Sequence, residues 1–391
     1  MNNHAKLKLI NFISMAQHGF LLLVFGPMVP EMMETFNIGE SMTGLLLSMG
    51  ALGFAAGPVF AGMLIDKSGL KRVFIIGFGV EILVFFVFGF APIFIVAALA
   101  NLFLHLASSF VETSCNVMPS VVENDHAGSY MSFVHFFFSV GAFISPFLVG
   151  LFINATGLWQ PVFLILAIPT VVLLFYTRFL SFPKTVQEVE VATGSLKTLF
   201  ETLRDRAALF GGLTLLFYVG GEVGLSTWIA YYLKTKLGFD TVTASSAVSI
   251  IWIGIMVGRF SNRFFARKFS SRFLVTSTGL FAMAAGFLLL TLESVYAVFP
   301  CLFFIGLCMA GIFPNVMAEI NSRKPGRTGT VTGVMTLGAG LGAMISGWLM
   351  GFISEHVSVT VALTAPAILM GLLVASYWLA LKTPTTARNK V

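Results

Sequence analysis

Charge is what this chain has least of. Charged residues make up 10% of its 391 positions and hydrophobic ones 57%, and a mean hydropathy of +0.92 lies far outside the range of water-soluble domains. A soluble globular fold is thereby excluded, because no soluble core needs that much apolar surface. Cysteine is nearly absent too. Cys115, Cys301 and Cys308 lie inside apolar runs, with neither the pattern of a disulfide framework nor the spacing of a metal site. No nucleophile–base pair or metal-ligand cluster stands at the ends of those runs, so neither enzyme chemistry nor a cofactor is expected. The net charge of +6 does not point to nucleic acid, because the basic residues are placed by a different rule.

What the chain has instead is a series of apolar runs of about twenty residues, each able to cross roughly 30 Å of hydrocarbon. Twelve are expected, near 8–34, 42–65, 72–90, 92–121, 128–154, 158–180, 208–234, 243–263, 272–291, 295–320, 328–353 and 358–381. Lys6 and Lys8 before the first run imitate a secretory leader. The run is too long for one and no small-residue cleavage site follows, so it reads as the first span. With the N-terminus taken as cytoplasmic, all 23 lysines and arginines fall on the inner side except Lys234 and Lys236. The expectation is an all-α integral membrane protein of the cell (plasma) membrane, with both termini cytoplasmic, the lipid bilayer as partner and no nucleic acid.

The longest polar interval, 181–206, divides six runs from six, predicting an N-terminal bundle over 1–180, a cytoplasmic linker over 181–206 and a C-terminal bundle over 207–391. The halves repeat each other. Gly128, Gly141-Ala-Phe-Ile-Ser145 and Gly150 recur in register as Gly329, Gly342-Ala-Met-Ile-Ser346 and Gly351, and Asn116-Val-Met118 recurs as Asn315-Val-Met317. A parallel 6+6 repeat predicts two pseudo-symmetric six-helix bundles, with helices 1, 4, 7 and 10 facing a midplane cavity.

Between runs 2 and 3 lies Gly62-Met-Leu-Ile-Asp66-Lys67-Ser-Gly69-Leu-Lys71-Arg72. Gly62 would let helix 2 approach a neighbour, Gly69 would permit a tight turn, and Asp66 would hold a helix N-terminus or a basic residue. The segment resembles the cytoplasmic signature of the major facilitator superfamily, which implies that Gly62, Asp66, Gly69 and Arg72 form a gating latch. Gly258-Arg259-Phe-Ser-Asn262 in the second half is a degenerate copy with Asn262 in place of the acid, and Arg259 joins the gating set.

Polar residues inside the runs fall on helical faces. Asn101, His105, Ser108, Glu112 and Asn116 make one stripe on helix 4. A charge at the bilayer centre costs roughly 2.5–3.5 kcal/mol, so Glu112 must face a wet cavity, find a partner or carry a proton. Helix 7 repeats the theme with Tyr218, Glu222 and Ser226, and helix 1 offers Gln17 and His18, the latter a candidate proton relay. Glu81 stands mid-run in helix 3, a helix peripheral in such an architecture, and reads as packing. Trp228, Tyr231 and Tyr232 read as anchors at the outer interface, with Trp228 as a possible stacking platform.

Glu112-Thr-Ser-Cys-Asn116, Phe217-Tyr218-Val-Gly-Gly-Glu222 through Trp228, and Gly311-Ile-Phe-Pro-Asn315 resemble segments of the fucose/galactose–proton symporter family. That resemblance implies that Glu112 couples protons and contacts sugar, with Asn116, Glu222, Trp228 and Asn315 lining the solute site; Tyr218 and Gln17, polar residues on the same helices 7 and 1, join the candidate solute-binding set. His18 and Glu222 complete the proton-coupling set. Fucose permease has an aspartate in helix 1, where this chain has only Gln17 and His18. No Lys or Arg falls in the apolar core of a run, which argues for a neutral solute. The expected function is uptake of a small neutral polar solute, a monosaccharide, by proton symport and alternating access in a monomer, with sodium as the other candidate ion. Proton-driven efflux of amphiphilic compounds is the alternative. Its helix 5 signature is only half present here, since Ser145 rather than glycine precedes Pro146.

Overall fold

Helices form where the apolar runs predict them, but many of them outlast their run while others stop short of it. The structure, a computed structural model, describes residues 3–122, 127–182, 204–323 and 328–382, so most of the 181–206 interval lies outside the described residues. Twelve spans are present: α1 (Asn3–Phe36), α2 (Glu40–Ser68), α3 (Leu70–Gly89), α4 (Phe94–Val122), α5 (Ala127–Thr156), α6 (Gln160–Phe179), α7 (Arg206–Leu237), α8 (Thr241–Lys268), α9 (Ser271–Leu289), α10 (Val295–Asn321), α11 (Thr328–His356) and α12 (Val359–Leu381). The extra turns are polar. An apolar run marks the crossing of the hydrocarbon, while backbone hydrogen bonding continues the helix beyond it.

Three spans read from sequence as continuous are broken. In α1 the helix stops at Leu23, passes through a 3-10 turn at Gly26–Met28 and resumes at Val29–Phe36. Pro27 has no N–H to continue the ladder, which fixes the break. The span ends at Asn37, whose φ of 50° is left-handed and whose N–H bonds back to Glu34 O at 3.2 Å. α10 parts at Ala310–Gly311, and α12 at Leu363.

The chain forms two compact units. The first comprises Met1–Val189 with Thr227–Ser249, the second Glu190–Ser226 with Ile250–Val391. Lipid is as apolar as leucine, so helices associate through close packing and interior hydrogen bonds rather than burial from water. In the first unit an aromatic cluster joins α1, α3 and α6: Phe88 stacks on Phe163 at 4.5 Å, and the Trp159 indole donates to Thr35 Oγ1 at 3.0 Å. Outer faces are apolar, as at Phe179, Phe260 and Phe281, all exposed.

The internal repeat survives as backbone contact. A Cβ on Gly141 of α5 would collide with the Ala16 carbonyl of α1, and one on the matching Gly342 of α11 with the Leu216 carbonyl of α7. In both units, therefore, a helix is seated on its partner's main chain by a glycine at the same repeat position. Gly342→Val should destabilise the second unit by roughly 1–3 kcal/mol, the range for overpacking, read as a lower melting temperature in detergent.

α8 begins with a polar cap. Asp240 Oδ1 accepts the Val242 and Thr243 N–H groups, each at 3.0 Å, and the Thr243 side chain together with these backbone donors holds its carboxyl below the ordinary range. A depressed carboxyl stabilises above its unfolded pKa and stops doing so as pH falls through its folded one. Asp240→Ala should therefore cost about 1 kcal/mol at neutral pH. The difference from wild type should shrink as a melting series is taken below about pH 4.

Candidate functional site

The α4 stripe divides in two. Asn101 donates to Leu46 O at 2.8 Å and His105 Nδ1 pairs with Asn101 O at 3.1 Å, so both satisfy main chain and belong to packing. The next three residues meet side chains instead. Ser108 Oγ lies 2.7 Å from His18 Nδ1, and His18 Nε2 lies 4.0 Å from Glu112 Oε2. Asn116 hydrogen-bonds Glu112, while its Oδ1 is buried with no partner. The Glu112 side chain is 20% exposed against 3% for His18, so the carboxyl is the member of the pair that can meet water.

Gln17, expected to line a solute site, turns the other way: its Nε2 donates to Thr170 Oγ1 at 2.8 Å and Glu81 Oε2 at 3.3 Å. Glu81 is buried, and it also hydrogen-bonds Ser108. Sequence reasoning had set this residue aside. Its signal was there, a lone carboxyl mid-run, but α3 was discounted as peripheral, whereas α3 packs along both α4 and α6.

The end of α7 belongs to the first unit. Trp228 is fully buried, its indole Nε1 has no partner, and its ring meets Tyr231 edge-on at 5.8 Å. Tyr231 donates to Glu40 Oε1 and Lys234 to Glu31 Oε1, each at 2.6 Å. These buried tyrosines are not the interfacial anchors that their sequence position suggested. The Tyr231 hydroxyl ties α7 to α2.

In the second unit Tyr218 donates to Glu222 Oε1 at 2.6 Å, and Arg259 interacts with both, hydrogen-bonding the tyrosine and facing the carboxyl. This overturns the expectation that no basic side chain enters the apolar spans. Arg259 lies within Thr241–Ala266, and its long stem carries a guanidinium that near the end of α8 looked like a topology signal back to Glu222. Asn315 donates to Asn262 Oδ1 at 3.0 Å beside the α10 break, joining a residue expected to bind solute to the degenerate motif.

The remaining gating residues are spread out. Gly69 has φ 82° and ψ 159°, a conformation open to glycine alone, as the tight turn requires. Gly62 does not mediate a close approach: a Cβ there would meet nothing within 4 Å. Helix 2 makes its contacts instead at Gly53 and Gly57, against α4. Arg72 is exposed, and the Asp66 side chain lies outside what is described. Its neighbour Lys71 caps α6, donating to Arg178 O and Leu180 O at 2.8 Å each.

Twelve apolar spans, an internal repeat and interior carboxyls on helical faces define a multi-pass membrane transporter of small molecules, not an enzyme. The profile described as "Major Facilitator Superfamily" matches residues 9–276 and 264–391, and the chain belongs to that superfamily. Among curated proteins, it is 23% identical over 280 residues to the cis,cis-muconate transport protein of Acinetobacter baylyi, covering 68% of this chain and 67% of that one. It is 24% identical over 287 residues to protein TsgA of Escherichia coli O157:H7, covering 72% and 71%. The fold is shared with a crystallised D-xylose–proton symporter (TM-score 0.78, 14% identity, 98% of this chain and 99% of that one) and with the nucleoside transporter NupG (0.77, 17%, 98% and 100%).

Proposed function

We propose that this transporter takes up a small neutral polar solute, a monosaccharide, by proton symport and alternating access. It would do so as a monomer in the plasma membrane with both termini cytoplasmic, built of halves 1–180 and 207–391 around the 181–206 linker. The observation that carries the reading is the Glu112–Asn116 pair. Its carboxyl is partly exposed and can exchange a proton, and the adjoining amide keeps an oxygen without a partner. A sugar hydroxyl both donates and accepts, so it would satisfy Asn116 Oδ1; the unpartnered indole N–H of Trp228 offers the opposite polarity. The three segments resembling fucose/galactose–proton symporters add Tyr218, Glu222 and Asn315 to the set. Gly69, Asp66, Arg72 and Arg259 remain the proposed gating residues.

One observation favours a second reading, uptake of an organic anion. Arg259 supplies the interior guanidinium that a carboxylate solute would need, and a relative is named for transport of cis,cis-muconate. Counterflow in proteoliposomes decides between them. D-Galactose, L-fucose and D-glucose are tested against cis,cis-muconate and a lipophilic cation. Exchange of a monosaccharide is expected; exchange of muconate alone would replace the sugar reading with the anion one, and exchange of the cation alone would favour efflux.

A further inference from the structure

Two carboxyls in the first unit stand at the two ends of one line of exchangeable groups. Glu81 hydrogen-bonds Ser108, whose Oγ is 2.7 Å from His18 Nδ1. The opposite ring nitrogen of His18 is 4.0 Å from Glu112 Oε2. Gln17 holds Glu81 in place from α1, steadied by Thr170 of α6. Glu81 and Ser108 are sealed from solvent while Glu112 is not, so the line runs from a wet end to a dry one.

We infer that Glu112 and Glu81 exchange one proton through His18 and Ser108, which makes Glu81 a second proton-holding residue of the transport cycle. The step balances without any added reagent. In one state Glu112 is protonated, His18 carries its hydrogen on Nδ1 and donates it to Ser108 Oγ, and the Ser108 hydroxyl donates to the Glu81 carboxylate. Glu112 then passes its proton to Nε2, Nδ1 passes its own to Ser108 Oγ, and Ser108 passes its hydrogen to Glu81. Three O–H or N–H bonds break and three form. His18 ends as the other neutral tautomer, Glu112 as the carboxylate, and the reverse sequence restores the start. The 4.0 Å separation is longer than a hydrogen bond, so the line is open at Glu112 in this conformation and closes with a swing of that side chain.

Other groups face this line. From α4 come His105 and Cys115, from α5 His135, while α6 carries its one basic residue, Arg178, in its last turn, and α2 has its charges only at its ends. Among the described residues the groups that meet Glu81 are the neutral donors Ser108 and Gln17.

The inference rests on the proton-coupled reading above, and its test separates the two. The full-length protein in lipid is titrated with pH while infrared spectroscopy follows the carboxylic C=O bands, assigned with Glu81→Gln and Glu112→Gln. Glu81→Gln should remove one band and move the midpoint of the Glu112 band by about one pH unit, as expected of coupled sites. Ser108→Ala keeps both carboxyls and should leave two bands that titrate independently, and Ser108→Thr should restore the linkage. With D-galactose as probe, counterflow should persist in Glu81→Gln and Ser108→Ala while pH-driven accumulation falls roughly tenfold. A Glu81 that is only packed would leave the Glu112 midpoint unmoved, and that result, or wild-type accumulation by Ser108→Ala, overturns the relay. If wild type takes up galactose without responding to a pH gradient, symport fails while the infrared linkage still decides the relay.

Discussion

Proteoliposomes carrying Glu112→Gln should exchange solute across the bilayer yet accumulate none of it when the interior is made alkaline. The amide reproduces the shape of the carboxyl and keeps a hydrogen bond to Asn116, so the bound state survives. What it lacks is a proton that can be lost and regained, and removing such a group typically costs about 10²–10⁴-fold. The geometry makes this the decisive carboxyl of the first unit: Glu112 is partly exposed, whereas Glu81 is 1% exposed and reaches water only through its neighbours. Accumulation is measured as the internal-to-external ratio under an imposed pH gradient, and exchange as counterflow with no gradient. Undiminished accumulation by the variant would remove Glu112 from coupling altogether.

The second large effect is expected on stability. Glu222→Ala should lower the unfolding free energy by roughly 2–4 kcal/mol, somewhat less than for a fully buried ion pair because Arg259 is only half-buried. The deleted carboxylate accepts the Tyr218 hydroxyl at 2.6 Å and faces Arg259, so its loss leaves an uncompensated guanidinium inside the second unit. Removing that charge as well, in Glu222→Ala with Arg259→Gln, should recover most of the loss, and the double-mutant cycle in detergent melts measures the coupling. Additive losses would mean that the two groups do not interact. A fall in solute affinity in Glu222→Ala is interpretable only beside this cycle, because the residue both holds the fold and stands in the proposed site.

The fold was legible because lipid imposes a simple code. Twelve apolar runs became twelve spans, and the repeat read as Gly141 and Gly342 reappears as two glycines pressed against partner carbonyls. The breaks in α10 and α12 carry the same signal as the one in α1, a proline four or five residues after the last residue of the first piece, Pro314 after Met309 and Pro366 after Ala362, which the apolar run alone hides. Within the polar clusters, sequence placed residues on faces but could not say which way an amide turns. Gln17, Asn101 and Asn116 look alike on a helical wheel and each keeps a buried amide oxygen without a partner, yet the first donates to Glu81, the second to a carbonyl, and only the third stands beside Glu112. Arg259 and Lys71 defeated the reading for one reason: a long cation near a helix end counts as topology in a sequence, while its stem lets it reach a group several turns or another helix away.

The C-terminal end of α7 is tied to α1 by Lys234 and Glu31 and to α2 by Tyr231 and Glu40. Lys234 is 33% exposed and Glu31 only 13%, so the bond has one face open to ions and one closed to them. Salt screens two charges while they are apart far more than when they touch. Raising ionic strength therefore acts mainly on the return of Lys234 to its carboxylate and only weakly on its departure, as for charges at the rim of an interface. The tie is thus asymmetric in time: its lifetime is set by the 2.6 Å contact, and its rate of re-formation by the ions around it.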